Sequence, residues 1–193
     1  MLSIPVVVGS VRRGRMSPRV AAFVQRKLVE TGAVESPLLD LAEYDFPPME
    51  ERFGHRDDPP AGLAEFAATV AAADGLVIVS PEYNRSYPGV LKNALDYLWA
   101  EFNRKPFGLV TVSSGGFGGV SCMGQLQLLA LGLGAFPMPA NLPVSNVEES
   151  FAEDGTPNDA SWEARGAYFA AELVWYATAL SEHKRRVPPP KRG

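Results

Sequence analysis

Two glycines, two serines and three arginines crowd into the nine residues GSVRRGRMS (9–17), directly after the apolar run IPVVV. A strand that feeds a Gly-Ser turn and then a helix presents backbone N–H groups and the positive end of a helix dipole to an anion. Ser10 and Ser17 would add hydroxyl donors, and Arg12 a two-pronged guanidinium suited to phosphate. Each charge-assisted bond is worth roughly 1.5–3 kcal/mol, so a few anchor a phosphate monoester. The stretch carries neither the G-K-[ST] of a Walker A loop nor G-x-G-x-x-G, which argues against a nucleoside triphosphate or a Rossmann-type dinucleotide. The competing reading is a basic turn solvated by water. Arg13 is assigned to solvent, and Arg15 fits either reading.

Two further stretches invite a flat ligand. Pro81-Glu82-Tyr83-Asn84 joins a rigid proline, an aromatic plate and an amide, with Tyr87 and Pro88 extending the apolar wall. Small-molecule sites are built of such walls plus a few edge donors and acceptors. The alternative is a tight turn with Tyr83 tucked into the core. Ser113-Ser114-Gly115-Gly116-Phe117-Gly118-Gly119 is rich enough in glycine for backbone N–H groups to approach a ligand closely. A ring that becomes anionic on reduction would be stabilised there as an oxyanion hole stabilises charge. A flexible lid is the competing reading.

Other reactive residue types fall into structural roles. The lone cysteine, Cys122, stands at a helix start, where its pKa could fall, but a small packed residue is the favoured reading. Lys92 and Asp96, four apart, make an ordinary helix pair worth a few tenths of a kcal/mol. Two histidines, His55 and His183, are too few and too distant for a metal centre. No Ser-His-Asp set or paired carboxylates stand out, so hydrolysis has no visible machinery and no catalytic side chain is assigned. At 193 residues, with 46% hydrophobic and 21% charged residues, the chain reads as one globular domain over 1–185 with a basic, proline-rich tail at 186–193. A net charge of −4 gives no basic footprint for nucleic acid or an anionic membrane. The first residues lack the basic start of a signal peptide, and no apolar run reaches the roughly 18 residues a membrane span needs, so the expected setting is cytoplasmic.

The elements that must hold these stretches alternate. Residues 4–8 are β-branched and apolar, as in a strand buried on both faces. Strands follow at 34–41, 76–79 and 107–112, with a fifth within 135–147. Helical spacing marks 18–30, 61–73, 90–102, 121–133 and 162–184. Such alternation specifies an α/β fold, a parallel sheet covered by helices on both faces, and five strands suggest the flavodoxin-like order 2-1-3-4-5. All three stretches follow strands, so they should gather at one sheet edge. In the helix at 90–102, Tyr97 and Trp99 lie outside the core stripe, which suggests a subunit contact; core packing of Trp99 is the alternative.

On GSVRRGR, SPEYNRSYPGVLKNALDYL and SSGGFGG followed by a helix ending LGLGAFPMP, the chain resembles the NADPH-dependent FMN reductases, flavodoxin-like enzymes that include quinone, azo-dye and chromate reductases. The likeness covers most of residues 3–147. It implies FMN as cofactor, with Ser10, Arg12 and Ser17 near its phosphate and Arg15 and Met16 also among the cofactor-binding residues. Around the isoalloxazine it implies Pro81, Glu82, Tyr83, Asn84, Ser114, Gly115, Gly116 and Phe117. It further implies NADPH or NADH as reductant, hydride passed to the flavin and then electrons to a small acceptor by a ping-pong scheme. Assembly would be a homodimer or homotetramer through the helix at 88–102. Residues 46–51 and Phe117 would wall the space above the ring. Many members carry a small polar residue where Arg15 stands, though a subgroup has G-R here as this chain does, and Gln125 or Gln127 stands where an arginine is frequent. The alternative function is a flavin-binding electron carrier without nicotinamide turnover; Arg12 and the modest net charge favour the enzyme.

Overall fold

The computed structural model describes residues 1–190. Among them eight strand segments form, all paired in parallel: β1 (Leu2–Ser3), β2 (Val6–Val8), β3 (Val34–Glu35), β4 (Leu38–Asp40), β5 (Leu76–Pro81), β6 (Pro106–Val112), β7 (Phe136–Pro137) and β8 (Leu142–Val144). The main sheet runs β4-β2-β5-β6-β7 with β8 also on β6, and β1 pairs β3 separately. This differs from the expected five unbroken strands in the order 2-1-3-4-5. Pro5 and Pro37 lack the N–H that a continuous ladder needs, so each of the first two expected strands is divided, and β7 and β8 flank the loop at 138–141. The doubly wound α/β class holds, and β2 lies between β4 and β5, where that topology opens a crevice at the carboxyl ends of its strands.

Helices cover both faces. α1 (Ser17–Glu30) and α6 (Ser161–Arg186) pack on one side, through Val20, Phe23, Val24, Leu28, Phe169 and Leu173. Each such side chain, fully buried, contributes roughly 1.5–3 kcal/mol. On the other side lie α2 (Leu63–Ala72), α3 (Gly89–Asp96) and α4 (Val120–Gly132), packed through Phe66, Leu91, Leu95 and Leu126. A short α5 (Val147–Ser150) follows β8. Among the described residues, no helix is long and apolar enough to cross a membrane.

Three expectations change here. The helix expected over 90–102 ends at Asp96, and a single 3-10 turn, Ala100–Phe102, completes the span. At the break Trp99 leaves helical geometry (φ −142°, ψ −74°), and its N–H donates to the Glu101 carboxylate at 2.8 Å. Tyr97 is fully buried and donates its hydroxyl to the Pro47 carbonyl (2.9 Å), so it belongs to the core and not to a subunit face. Trp99 is half exposed, with the Arg52 guanidinium 4.1 Å above its ring. The last helix runs through Arg186; 187–190 carry no regular element, and the rest of the expected tail, 191–193, lies outside the described residues.

Candidate functional site

The loops after β2, β5 and β6 meet at one sheet edge around a cleft of about 180 Å³. Nine of the residues named from sequence line it: Ser10, Arg12, Arg15, Met16, Ser17, Pro81, Glu82, Tyr83 and Ser114. Asn84, Gly115, Gly116 and Phe117 do not. Asn84 and Arg85 form the exposed tip of a tight turn closed by paired bonds between Tyr83 and Ser86, and both adopt left-handed backbone (φ 50° and 67°). Phe117 is 86% exposed. Phe46 does not line this cleft either: its ring packs on Tyr44, Phe66 and Tyr97, and it lines a second hollow together with Val11 of loop 1.

Loop 1 (9–16) is held at both ends. Gly9 N–H donates to the Val79 carbonyl (2.8 Å), and Arg15 N–H to the Arg12 carbonyl (3.1 Å). Between them, the amides of Ser10, Val11, Arg12, Arg13 and Gly14 have no protein acceptor among the described residues. α1 then begins with Pro18 in its first turn and no side-chain cap, which leaves its dipole end open to an anion. The Ser10 and Ser17 side chains line the cleft from nearly buried positions. Ser10 Oγ lies 3.1 Å from the Tyr83 hydroxyl, joining loop 1 to the loop after β5. Arg12 is exposed, makes no ion pair among the described residues, and places its guanidinium carbon 5.9 Å from the Tyr83 ring centre.

Arg15 differs. Both its terminal nitrogens bind the Asp40 carboxylate, the Nη2–Oδ2 bond at 2.6 Å, and Nη1 also donates to the Ser10 carbonyl at 2.5 Å. The hydrogen bond to Asp40 raises the arginine's pKa further. Asp40 was not anticipated, although it ends β4 at the same sheet edge and an acid there is a natural partner for a basic loop. Glu82 is likewise occupied: its carboxylate accepts the Cys122 N–H (3.0 Å) and so caps α4. Cys122 is buried, and burial pushes its thiol up to about 11, opposite to the lowering considered for a helix start. Lys92 and Asp96 pair at 2.5 Å, as their spacing suggests.

The glycine loop divides in two. Gly118 and Gly119 adopt left-handed backbone (φ 63° and 73°), and a Cβ on Gly119 would meet Thr111 Cβ at 2.9 Å. Gly115 and Gly116 have open space instead. The amides of Ser114, Gly115, Gly116 and Phe117 find no protein acceptor among the described residues. Gly14, Val112, Ser113 and Val147 complete the lining; the two valines carried no sequence signal, because their chemistry is that of any core position.

Unpaired amides, two hydroxyls, an uncommitted arginine and an adjoining aromatic ring form a donor set for a phosphate attached to a flat group. Residues 2–149 match the family described as NADPH-dependent FMN reductase. The chain belongs to that family. Among relatives of this chain, the NAD(P)H-dependent FMN reductase of Schizosaccharomyces pombe is 36% identical over 131 residues, 66% of this chain and 64% of the relative, so the chain spans less than two thirds of that relative's length. A quinone reductase of Pseudomonas putida is 32% identical over 164 residues, 81% of this chain and 85% of the relative. Among solved structures, the flavoenzyme NAD(P)H:(acceptor) oxidoreductase of Paracoccus denitrificans shares the fold at a TM-score of 0.72. Its sequence is 24% identical, and the match covers 95% of this chain and 99% of that one.

Proposed function

We propose that this protein is an FMN-dependent NAD(P)H oxidoreductase acting on a small acceptor such as a quinone, a free flavin, an azo compound or a metal oxyanion. The carrying observation is the donor set of loop 1: amides from Ser10 to Gly14 unpaired among the described residues, the open start of α1, and Arg12 with no acidic partner among those residues. These groups fit a dianionic phosphate monoester, with Ser10, Arg12, Met16 and Ser17 around it and Arg15 close by. Pro81, Glu82, Tyr83 and Asn84 would flank the ring system on one side, and the amides of Ser114 to Phe117 on the other.

When bound, FMN supplies the redox chemistry, taking a hydride from NAD(P)H and passing electrons to the acceptor. The protein's part is to bind and orient. Arg12 neutralises phosphate charge, Tyr83 gives the ring a flat neighbour, and the unpaired amides of the glycine loop present partial positive charge where negative charge would develop. A shallow open site suits two substrates that use it in turn, the structural basis of a ping-pong scheme. NAD(P)H as reductant and a single buried thiol fit a cytoplasmic setting. A second copy covering Trp99 and the 88–102 segment would make the homodimer or homotetramer.

The test compares FMN with riboflavin, which lacks the phosphate. Arg12→Ala should weaken FMN binding about tenfold or more, the value of one charge-assisted bond, while riboflavin affinity and the circular-dichroism spectrum stay as in the wild type. Unchanged FMN affinity would remove the phosphate from this loop.

A further inference from the structure

Arg15 and Arg12 point to the same cleft, but only Arg12 is available to a ligand. The Arg15 guanidinium forms a two-pronged pair with Asp40, and both side chains are about one-fifth exposed. Its Nη1 also holds the Ser10 carbonyl. Asp40 in turn accepts the Ala42 N–H at 3.0 Å, which caps the 3-10 turn Leu41–Glu43. One ion pair therefore ties loop 1, the end of β4 and the start of the segment after it.

The consequence for loop 1 follows from peptide geometry. In a trans peptide the carbonyl and the next N–H point in opposite directions. With the Ser10 carbonyl fixed on Arg15, the Val11 N–H must point away from that pair. The Arg15 N–H to Arg12 carbonyl bond closes the same loop from the other end. The two restraints thus set the directions of the Val11 and Arg13 amides, two of the five unpaired amides of the loop. As a direct phosphate ligand, by contrast, Arg15 would have to leave Asp40 or bring a dianion beside that carboxylate, where like charges repel.

We infer that Arg15 is a positioning residue, which acts with Asp40 to hold the amides of loop 1 in their phosphate-binding arrangement and does not itself bond the phosphate. This rests on the reading of loop 1 as the FMN phosphate site. It assigns the pair a task in cofactor affinity, and it makes Asp40, a carboxylate beside an anion site, favourable to anion binding.

Asp40→Asn separates the alternatives, since the amide keeps the size of the carboxylate and removes its charge. FMN and riboflavin affinities are measured by fluorescence quenching for the wild type, Asp40→Asn, Arg15→Lys and the double variant, with apo-protein melting temperatures alongside. The wild type should prefer FMN over riboflavin. Asp40→Asn and Arg15→Lys should each lose about tenfold in FMN affinity, leave riboflavin within about twofold, and in combination lose no more than the worse single variant, as one coupled unit does. If Arg15 were a phosphate ligand, Asp40→Asn would free it, and FMN would bind as tightly as before or more tightly; that result overturns the proposal alone. Equal losses for FMN and riboflavin would reduce the pair to general scaffolding and also overturn it. A wild type that binds FMN no better than riboflavin would instead overturn the phosphate site, and this assignment with it.

Discussion

Arg12 and Arg15 stand three positions apart in one loop, yet Arg15 is bound on both prongs and Arg12 has no acidic partner among the described residues. Sequence alone could not separate them, because the partner that decides the matter, Asp40, lies 25 residues on and reaches Arg15 only when β4 pairs with β2. Arg12 lies exposed at the cleft, and no acidic side chain among the described residues pairs with it. Cys122 is a similar case: its place at a helix start suggested an acidified thiol, but desolvation dominates and raises it to about 11. It should therefore be inert. Iodoacetamide at pH 8 should label the native protein far more slowly than the protein in denaturant; equal rates would mean an accessible thiolate. The sign of its pH effect also follows. Below pH 9, the ordinary value for this thiol, both states hold the proton; between 9 and about 11 the unfolded chain releases it and the native state keeps it, so the contribution to stability falls as pH rises. Cys122→Ala should flatten that part of the stability profile, measured by urea denaturation, and an unaltered slope would contradict the assignment.

At the scale of elements, alternation of strands and helices was legible because residues 4–8 and 76–79 are unbroken apolar runs, 107–112 is interrupted only by Gly108 and Thr111, and the helices repeat an apolar stripe. Boundaries were less so. The spacing of Leu91, Leu95, Leu98 and Phe102 continues a helical pattern past Asp96, although the backbone leaves the helix at Trp99 to turn toward β6; all four side chains stay buried, so the period survives the change of geometry. The glycine loop likewise read as a single feature, but its glycines divide by backbone angle, which composition does not reveal. Gly119→Ala demands left-handed backbone from an L-residue and a Cβ against Thr111, so it should cost on the order of 1–3 kcal/mol in thermal unfolding. Gly116→Ala meets nothing within 4 Å and should stay within about 0.5 kcal/mol of the wild type. Equal effects at the two positions would contradict the division.

At the scale of the molecule, the site exists because a doubly wound sheet sends every β-to-α loop to the same edge. That convergence was readable from the order of the elements, and it carries loops some 70 and 100 residues apart into one cleft without any motif linking them. Side-chain contacts between loops were not readable, including Ser10 to Tyr83 and Glu82 to Cys122, since each depends on register across strands. The central claim is that this cleft holds a flavin that NAD(P)H can reach. The most direct test loads the protein with FMN under anaerobic conditions, adds one equivalent of NADPH and follows the flavin's visible absorbance. The band should bleach and return when a quinone is added. A protein that binds FMN but whose band is bleached by neither NADPH nor NADH would contradict the account.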